Sequence, residues 1–290
     1  MILVSGGDSF LYGTDLSDCD PSNIHMGYSR GTFAALLAAK HGFEHRCSAY
    51  PGRGNDSISR RVIDACHAAK IENPGQTVAA LVGWTFPERY EFLFNYPTES
   101  YESPWYTVSH WLTLKKPWEE IQGIGDAYTD PTSQNMHNRA WQLNKQNGIL
   151  DFTHGFLKNV GTNRAWAMYS TLKSIYYTQL FLKANDIPYM FVPLTHETYE
   201  NKNDTQNRST KTLYDLIDWE KWAYFPNPLS PDVDTQLSPG TRVGFSHWAG
   251  KGMMNFPLGI TAHPTEQAHQ SAALELETKF TELILDRIKK

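Results

Sequence analysis

The tetrapeptide Gly7-Asp8-Ser9-Phe10 directly follows the apolar run Ile2-Leu3-Val4. A serine placed where a buried strand ends lies at the carboxyl edge of a sheet, the edge at which open α/β folds bind ligands. Its hydroxyl is then exposed for nucleophilic attack, and its own amide can help hold a developing oxyanion. Serine attacks poorly until an adjacent base takes its proton. His263, in Ala262-His263-Pro264 at the start of the last helical pattern, is a candidate base that the same sheet edge would bring within reach of Ser9. Each signal alone is ambiguous. Gly, Asp and Ser are ordinary turn residues, and any one of 11 histidines can be a capping or surface residue.

Two further segments carry small or polar residues just beyond apolar runs. Pro51-Gly52-Arg53-Gly54-Asn55-Asp56-Ser57 precedes a helical pattern. Its small residues let backbone approach a ligand, and amides at a helix start are anion donors. A plainer reading is a glycine-rich cap with Asn55 or Asp56 at the N-cap. The segment lacks the Gly-Lys-Ser/Thr ending of a P-loop, so that reading fails. Val82-Gly83-Trp84-Thr85 closes a third apolar run, with Pro87-Glu88-Arg89 just after it.

The elements that would position these residues alternate. Strands are expected at Ile2 to Val4, Arg46 to Ala49, Thr77 to Val82 (ending at Gly83) and Ile187 to Leu194, with helices at Tyr28 to His41, Asp56 to Ala69 and Asn163 to Ala184. A last helix is expected from Pro264, at its first position, to Lys289, with Glu266 in its first turn and basic residues in its last. Strand and helix in alternation predict parallel strands joined by right-handed crossovers. Lys202 to Lys211 reads as an exposed loop. Between Phe86 and Gly161 the alternation fails and aromatic residues crowd together, among them Tyr90, Phe92, Phe94, Tyr96, Tyr101, Trp105, Tyr106, Trp111 and Trp118. A stretch this apolar predicts a folded helical cap, residues 92–161, inserted into one domain spanning 1–290, with most of its rings filling its own core.

Composition narrows the function classes. The 290 residues carry a net charge of -5, with no basic block to follow a phosphate backbone, so nucleic acid is not an expected partner. No run approaches the ~20 apolar residues of a membrane span. The opening segment reads as a strand rather than a signal sequence, and Cys19, Cys47 and Cys66 lack metal-ligand spacing. The expectation is a cytoplasmic protein with no metal and no cofactor. The sequons at Asn55, Asn203 and Asn207 read as chance.

Taken in order, these segments resemble the SGNH (GDSL-like) hydrolase family. Gly7-Asp8-Ser9-Phe10 is similar to its first block, Gly52 to Ser57 to its second and Ala262-His263-Pro264 to its last. Gly83-Trp84-Thr85 with Pro87-Glu88-Arg89 looks more like a subset found in bacteriophage genomes, which would place the protein in a host cytoplasm or a virion. The aromatic middle matches no block. The resemblance implies a three-layer α/β/α sandwich, flavodoxin-like, with a parallel sheet of about five strands. It implies Ser9 as nucleophile and His263 as general base. An oxyanion hole would be drawn from the Ser9 amide, Gly52, Gly54 and a side-chain donor, Asn55 or Thr85, with Asp8 and Trp84 facing the substrate. The implied reaction is hydrolysis of an ester, commonly an acetyl or other acyl group on a carbohydrate or lipid, and the aromatic cap favours a carbohydrate O-acetyl group over a long-chain lipid.

Two departures stand out. The family's third block is Gly-x-Asn-Asp, whereas this chain has Gly83-Trp84-Thr85-Phe86, so the asparagine donor is missing. The last block carries an aspartate two or three residues before its histidine, where this chain has Thr261 and Ile260. The site is then a Ser/His dyad steadied by a backbone carbonyl, or another acid serves from elsewhere. A binding or virion-associated protein that kept the fold without turnover, and an acyltransferase using the same serine, remain open. The oligomeric state is not legible.

Overall fold

A computed structural model describes residues 1–19, 27–94, 105–109, 141–195, 208–226, 243–250, 254–259 and 261–288. Tyr96, Tyr101, Trp111, Trp118 and most of the expected loop at 202–211 lie outside these residues. The architecture is α/β, with a four-stranded parallel sheet in the order β2-β1-β3-β6, formed by β1 (Ile2–Gly6), β2 (Glu44–Cys47), β3 (Val78–Trp84) and β6 (Tyr189–Pro193). Strands β1, β3 and β6 are buried along their whole length, whereas β2 forms a half-exposed edge. Strands covered on both faces need apolar residues at every position, which is why these segments read as unbroken apolar runs.

The alternation of side chains divides them between two cores. Leu3, Ala79, Leu81, Met190 and Val192 face α2 (Phe33–Lys40) and the closing helix Glu266–Phe280, which contribute Phe33, Leu37, Ala268, Ala272, Leu276 and Phe280. Ile2, Val4, Ala80, Val82 and Phe191 face α3 (Asn55–Glu72) and the long helix Arg164–Ala184, which contribute Ile58, Val62, Met168, Leu172 and Ile175. Full burial of each large aliphatic side chain contributes ~1.5–3 kcal/mol. Small polar residues let the two helices of the second layer approach closely. The Thr178 hydroxyl donates to Ser59 Oγ at 2.7 Å, and the Ser174 hydroxyl donates to Asp56. Among the described residues no helix is long and apolar enough to cross a membrane.

Several expectations shift. Among the described residues the parallel sheet holds four strands rather than about five. Beyond β6, at the fifth place, a single parallel bridge joins Phe191 to Trp222, with the Ala223 amide donating to the Phe191 carbonyl at 2.8 Å. The β2 strand sits earlier than expected, and β3 runs through Gly83 to Trp84 because β6 pairs with it that far. A helix, Arg208–Leu216, begins inside the segment read as loop. The closing helix starts at Glu266, since Pro264 is held in a bridge to Leu258.

The described part of the insertion is mixed rather than purely helical. An antiparallel hairpin, β4 (Tyr90–Leu93) with β5 (Trp105–Val108), packs beside the helix Ile149–Phe156. Phe92 sits 4.9 Å from Phe152 and 5.0 Å from Phe156, Tyr90 sits 4.9 Å from Phe156, and Phe94 sits 5.4 Å from Phe152. These rings pack edge to face on one another, a geometry that favours a self-contained aromatic core.

Candidate active site

Ser9 opens α1 (Ser9–Tyr12), a single turn that begins where β1 ends. Asp8 caps this turn, its carboxylate accepting from the Phe10 amide at 3.0 Å, and Gly13 ends it in the left-handed conformation. So short a helix has little stability of its own, and the cap on either side fixes where the Ser9 hydroxyl points. Ser9 is 8% exposed, and its Oγ lies 2.7 Å from His263 Nε2. The opening turn and the approach to the closing helix, 254 positions apart in sequence, thus meet over one point.

His263 sits in a compact turn ahead of the closing helix, with the Gly259 amide donating to the His263 carbonyl at 2.8 Å and Ala262 at a φ of 63°. Its ring packs 5.2 Å from that of Phe10. On the far side of the ring, Nδ1 lies 2.8 Å from Thr261 Oγ1, and the Thr261 hydroxyl reaches Asp15 Oδ2 at 2.8 Å. The same Asp15 oxygen accepts from the Thr261 amide at 2.7 Å and the His263 amide at 3.3 Å. Gly259 permits this approach, because a β-carbon there would stand 2.3 Å from Asp15 Cβ. Burial is the largest influence on the imidazole and lowers its pKa below the ordinary histidine value, while Asp8 and Asp15 act in the opposite sense. A half-buried imidazole held neutral beside a hydroxyl is in the protonation state a general base requires.

The strand ends beside Ser9 form a buried polar web. The Thr85 hydroxyl donates to Asp8 Oδ2 at 2.5 Å, and Arg89 Nη1 donates to the same oxygen at 3.2 Å and to the Arg53 carbonyl at 3.2 Å. Asn55 Nδ2 donates to the Thr85 carbonyl at 3.0 Å and to Thr171 Oγ1 at 3.1 Å, while its Oδ1 accepts from the Thr85 amide at 2.8 Å. Arg89 therefore ties the glycine loop to the carboxylate next to Ser9. Gly54 is required at this crossing, because a β-carbon would stand 2.3 Å from the Arg89 carbonyl oxygen.

This web corrects four expectations. Asp8 is 0% exposed, and its carboxylate is spent on the α1 cap, Thr85 and Arg89, so it does not face a substrate. Trp84 is 0% exposed, enclosed in the second-layer core against Phe191, since β3 carries its side chain to that face. The Asn55 amide, 2% exposed, and the Thr85 hydroxyl are both engaged inside the protein, which takes them away from an oxyanion. Asn55 is not the cap of α3 either. Gly54 holds that position without a side-chain bond. Gly52, in the left-handed conformation, and Gly54 flank the Arg53 carbonyl beside the Asp8 carboxylate.

Sequence reasoning missed Asp15 and the part played by Arg89. Asp15 sits in the left-handed region (φ 70°), two residues past the glycine that ends α1. The one available signal was Gly13-Thr14-Asp15 itself, an acid in a turn immediately after the serine's helix, of a residue type that tolerates this conformation. Among the described residues no group of three or more His, Cys, Asp or Glu side chains is arranged to hold a metal ion.

No protein-family model matches the sequence, and comparison with curated proteins finds no significant relative. Two solved structures align over 97% of the chain. One is a carbohydrate esterase described as having divergent catalytic and non-catalytic binding functions at its active site, at 11% identity and a TM-score of 0.38. The other is a carbohydrate esterase family 2 enzyme with a carbohydrate-binding domain from Corynascus thermopiles (Myceliophthora fergusii), at 10% identity and a TM-score of 0.42. The chain spans 64% and 65% of their respective lengths.

Proposed function

We propose that the protein is a serine ester hydrolase of the SGNH type, acting on an acyl ester of a carbohydrate or another small alcohol. The observation that carries this reading is the 2.7 Å approach of Ser9 Oγ to His263 Nε2. In the reaction, Ser9 Oγ attacks the carbonyl carbon as its proton passes to Nε2, and the resulting oxyanion takes hydrogen bonds from backbone amides at Ser9 and at the Gly52–Gly54 loop. The ester C–O bond then breaks, and the leaving alcohol takes the proton from Nε2. Water attacks the acyl-serine and gives its proton to Nε2; the bond from the acyl carbon to Ser9 Oγ then breaks, Oγ takes the proton back from Nε2, and the carboxylic acid leaves. With Asn55 and Thr85 engaged elsewhere, oxyanion stabilisation rests on main-chain donors, each worth ~10²–10³ in turnover at sites of this kind. The carbohydrate part of the reading rests on the aromatic-rich composition of residues 92–161.

The test is hydrolysis of p-nitrophenyl acetate and of acetylated sugars by the wild type and by Ser9→Ala. The expected result is a measurable rate that Ser9→Ala reduces by at least about 10³-fold. Equal rates in the two proteins would overturn the assignment. The engagement of both side-chain oxyanion candidates inside the protein favours a second reading, a binding protein that keeps the fold without turnover. Wild-type protein that binds acetylated sugars but releases no acetate would decide for it.

A further inference from the structure

The imidazole of His263 needs a group that fixes its orientation and its tautomer, and no acid stands in the segment just before it. We infer that Asp15, in the turn after the nucleophile's own helix, is the positioning acid for His263 and acts through the hydroxyl of Thr261. The inference rests on the ester-hydrolase reading for its kinetic consequences, while its structural consequences can be measured independently.

The argument follows from donor and acceptor capacity. Asp15 Oδ2 to His263 Nδ1 is 3.7 Å, beyond hydrogen-bond reach, so the carboxylate does not bind the ring directly. The Thr261 hydroxyl lies between them, 2.8 Å from each. A carboxylate only accepts, and a hydroxyl has a single proton to give. With that proton directed at Asp15, Thr261 Oγ1 meets the ring as an acceptor, and Nδ1 must carry the ring hydrogen. Nε2 is then left with its lone pair toward Ser9 Oγ, the tautomer a base requires. Asp15 also holds the turn itself, through its bonds from the amides of Thr261 and His263 on either side of Ala262. Its side chain is 4% exposed, so little water competes for these contacts.

An acid placed six residues after the serine, rather than just before the histidine, reaches the ring from the nucleophile's side of the site. The same short turn thereby sets the position of both partners. The other charged or titratable groups that influence this imidazole are Asp8 and Arg89 from the polar web and His269 from the closing helix. None of them changes in the variants below, so a shift in His263 reports on Asp15 and Thr261.

The experiment compares wild type with Asp15→Asn, Thr261→Val and Thr261→Ser, reading the His263 ring nitrogens and pKa by NMR and the ester kinetics in parallel. Asp15→Asn keeps an oxygen for the two amides and removes the charge. Thr261→Val keeps the backbone contacts and removes the link. The expected NMR result is an Nδ1–H tautomer in wild type, a smaller Nδ1–H fraction in Thr261→Val, where the backbone of residue 261 still bonds the ring, its retention in Thr261→Ser, and a lower imidazole pKa in Asp15→Asn. The expected kinetic result is a fall in kcat of about 10²-fold in Thr261→Val, within the ~10²–10⁴ that a positioned base supplies, with KM little changed and Thr261→Ser restored. A His263 tautomer and pKa unaltered in both Asp15→Asn and Thr261→Val would overturn the inference. Wild-type protein with no ester turnover would overturn the proposed function instead, and the NMR arm would still decide this one.

Discussion

The two sides of the candidate site are built from different materials. On the nucleophile's side, Asp8, Asn55, Thr85 and Arg89 form a web with an ion pair at its centre, buried under the ends of β1 and β3. On the base's side, Asp15, Thr261 and His263 form a single file of polar contacts along a turn outside the sheet. A buried web with no solvent to replace a lost partner couples its residues to the stability of the fold, whereas a file whose turn is also held by backbone bonds to Asp15 couples its side chains mainly to geometry. The nucleophile's side should therefore respond to mutation by unfolding, and the base's side by losing rate.

The largest expected effect comes from Asp8→Ala, which leaves the Arg89 guanidinium, 10% exposed, without its carboxylate and strips the cap from α1. Removing one partner of a buried pair costs about 3–5 kcal/mol, and urea unfolding should show the midpoint fall accordingly. A loss below ~1 kcal/mol would mean that the web is dispensable and the contrast false. Asn55→Ala should come next, at about 1–3 kcal/mol, because the Thr85 amide and carbonyl lose their partners in the interior.

A third prediction sharpens the contrast through pH. His269, buried in the closing helix, accepts from the Phe33 amide at 3.2 Å, and burial lowers its pKa to about 3. His45, bonded to Ser5, is likewise lowered to about 4. Both prefer the neutral form in the folded chain, so the unfolded chain binds more protons once the pH falls below the ordinary histidine value of ~6.5. Stability is fully present above that value and is lost as the pH falls from there toward the folded values. The slope is about 1.4 kcal/mol per pH unit for each histidine. Urea unfolding between pH 7 and 5 should show this, with a shallower dependence in His269→Leu. His263 is lowered in the same direction, so the acid limb of the pH–rate profile should lie below ~6.5. A limb at or above that value would contradict its burial. The smallest effect belongs to the file: Thr261→Val should change stability by less than about 1 kcal/mol, since the backbone bonds to Asp15 survive.

What could be read from the sequence divides along physical lines. The strands and long helices were legible because burial on both faces, or on one stripe, leaves a periodic record in residue type. Ile2 to Val4, Thr77 to Val82 and Asn163 to Ala184 all fall within a residue or two of the observed elements. Ser9 and His263 were legible as candidates because each lies next to such an element. Asp15 was not, since a lone acid in a turn carries no periodicity and its partners stand 246 and 248 positions away. Asn55 and Thr85 have residue types that suit an oxyanion donor equally well. Only the structure reveals that they bond each other across the base of the loop and strand. Trp84 was read as lying beyond the strand's end, whereas β3 runs through it and carries its side chain into the second core.

The central claim is that His263 makes Ser9 a nucleophile, and covalent labelling by a fluorophosphonate reads this without any assumption about the ester. The account predicts a single adduct located by mass spectrometry on Ser9, formed by wild type and lost in His263→Ala. An unlabelled wild type, or an adduct that forms equally well without His263, would contradict it.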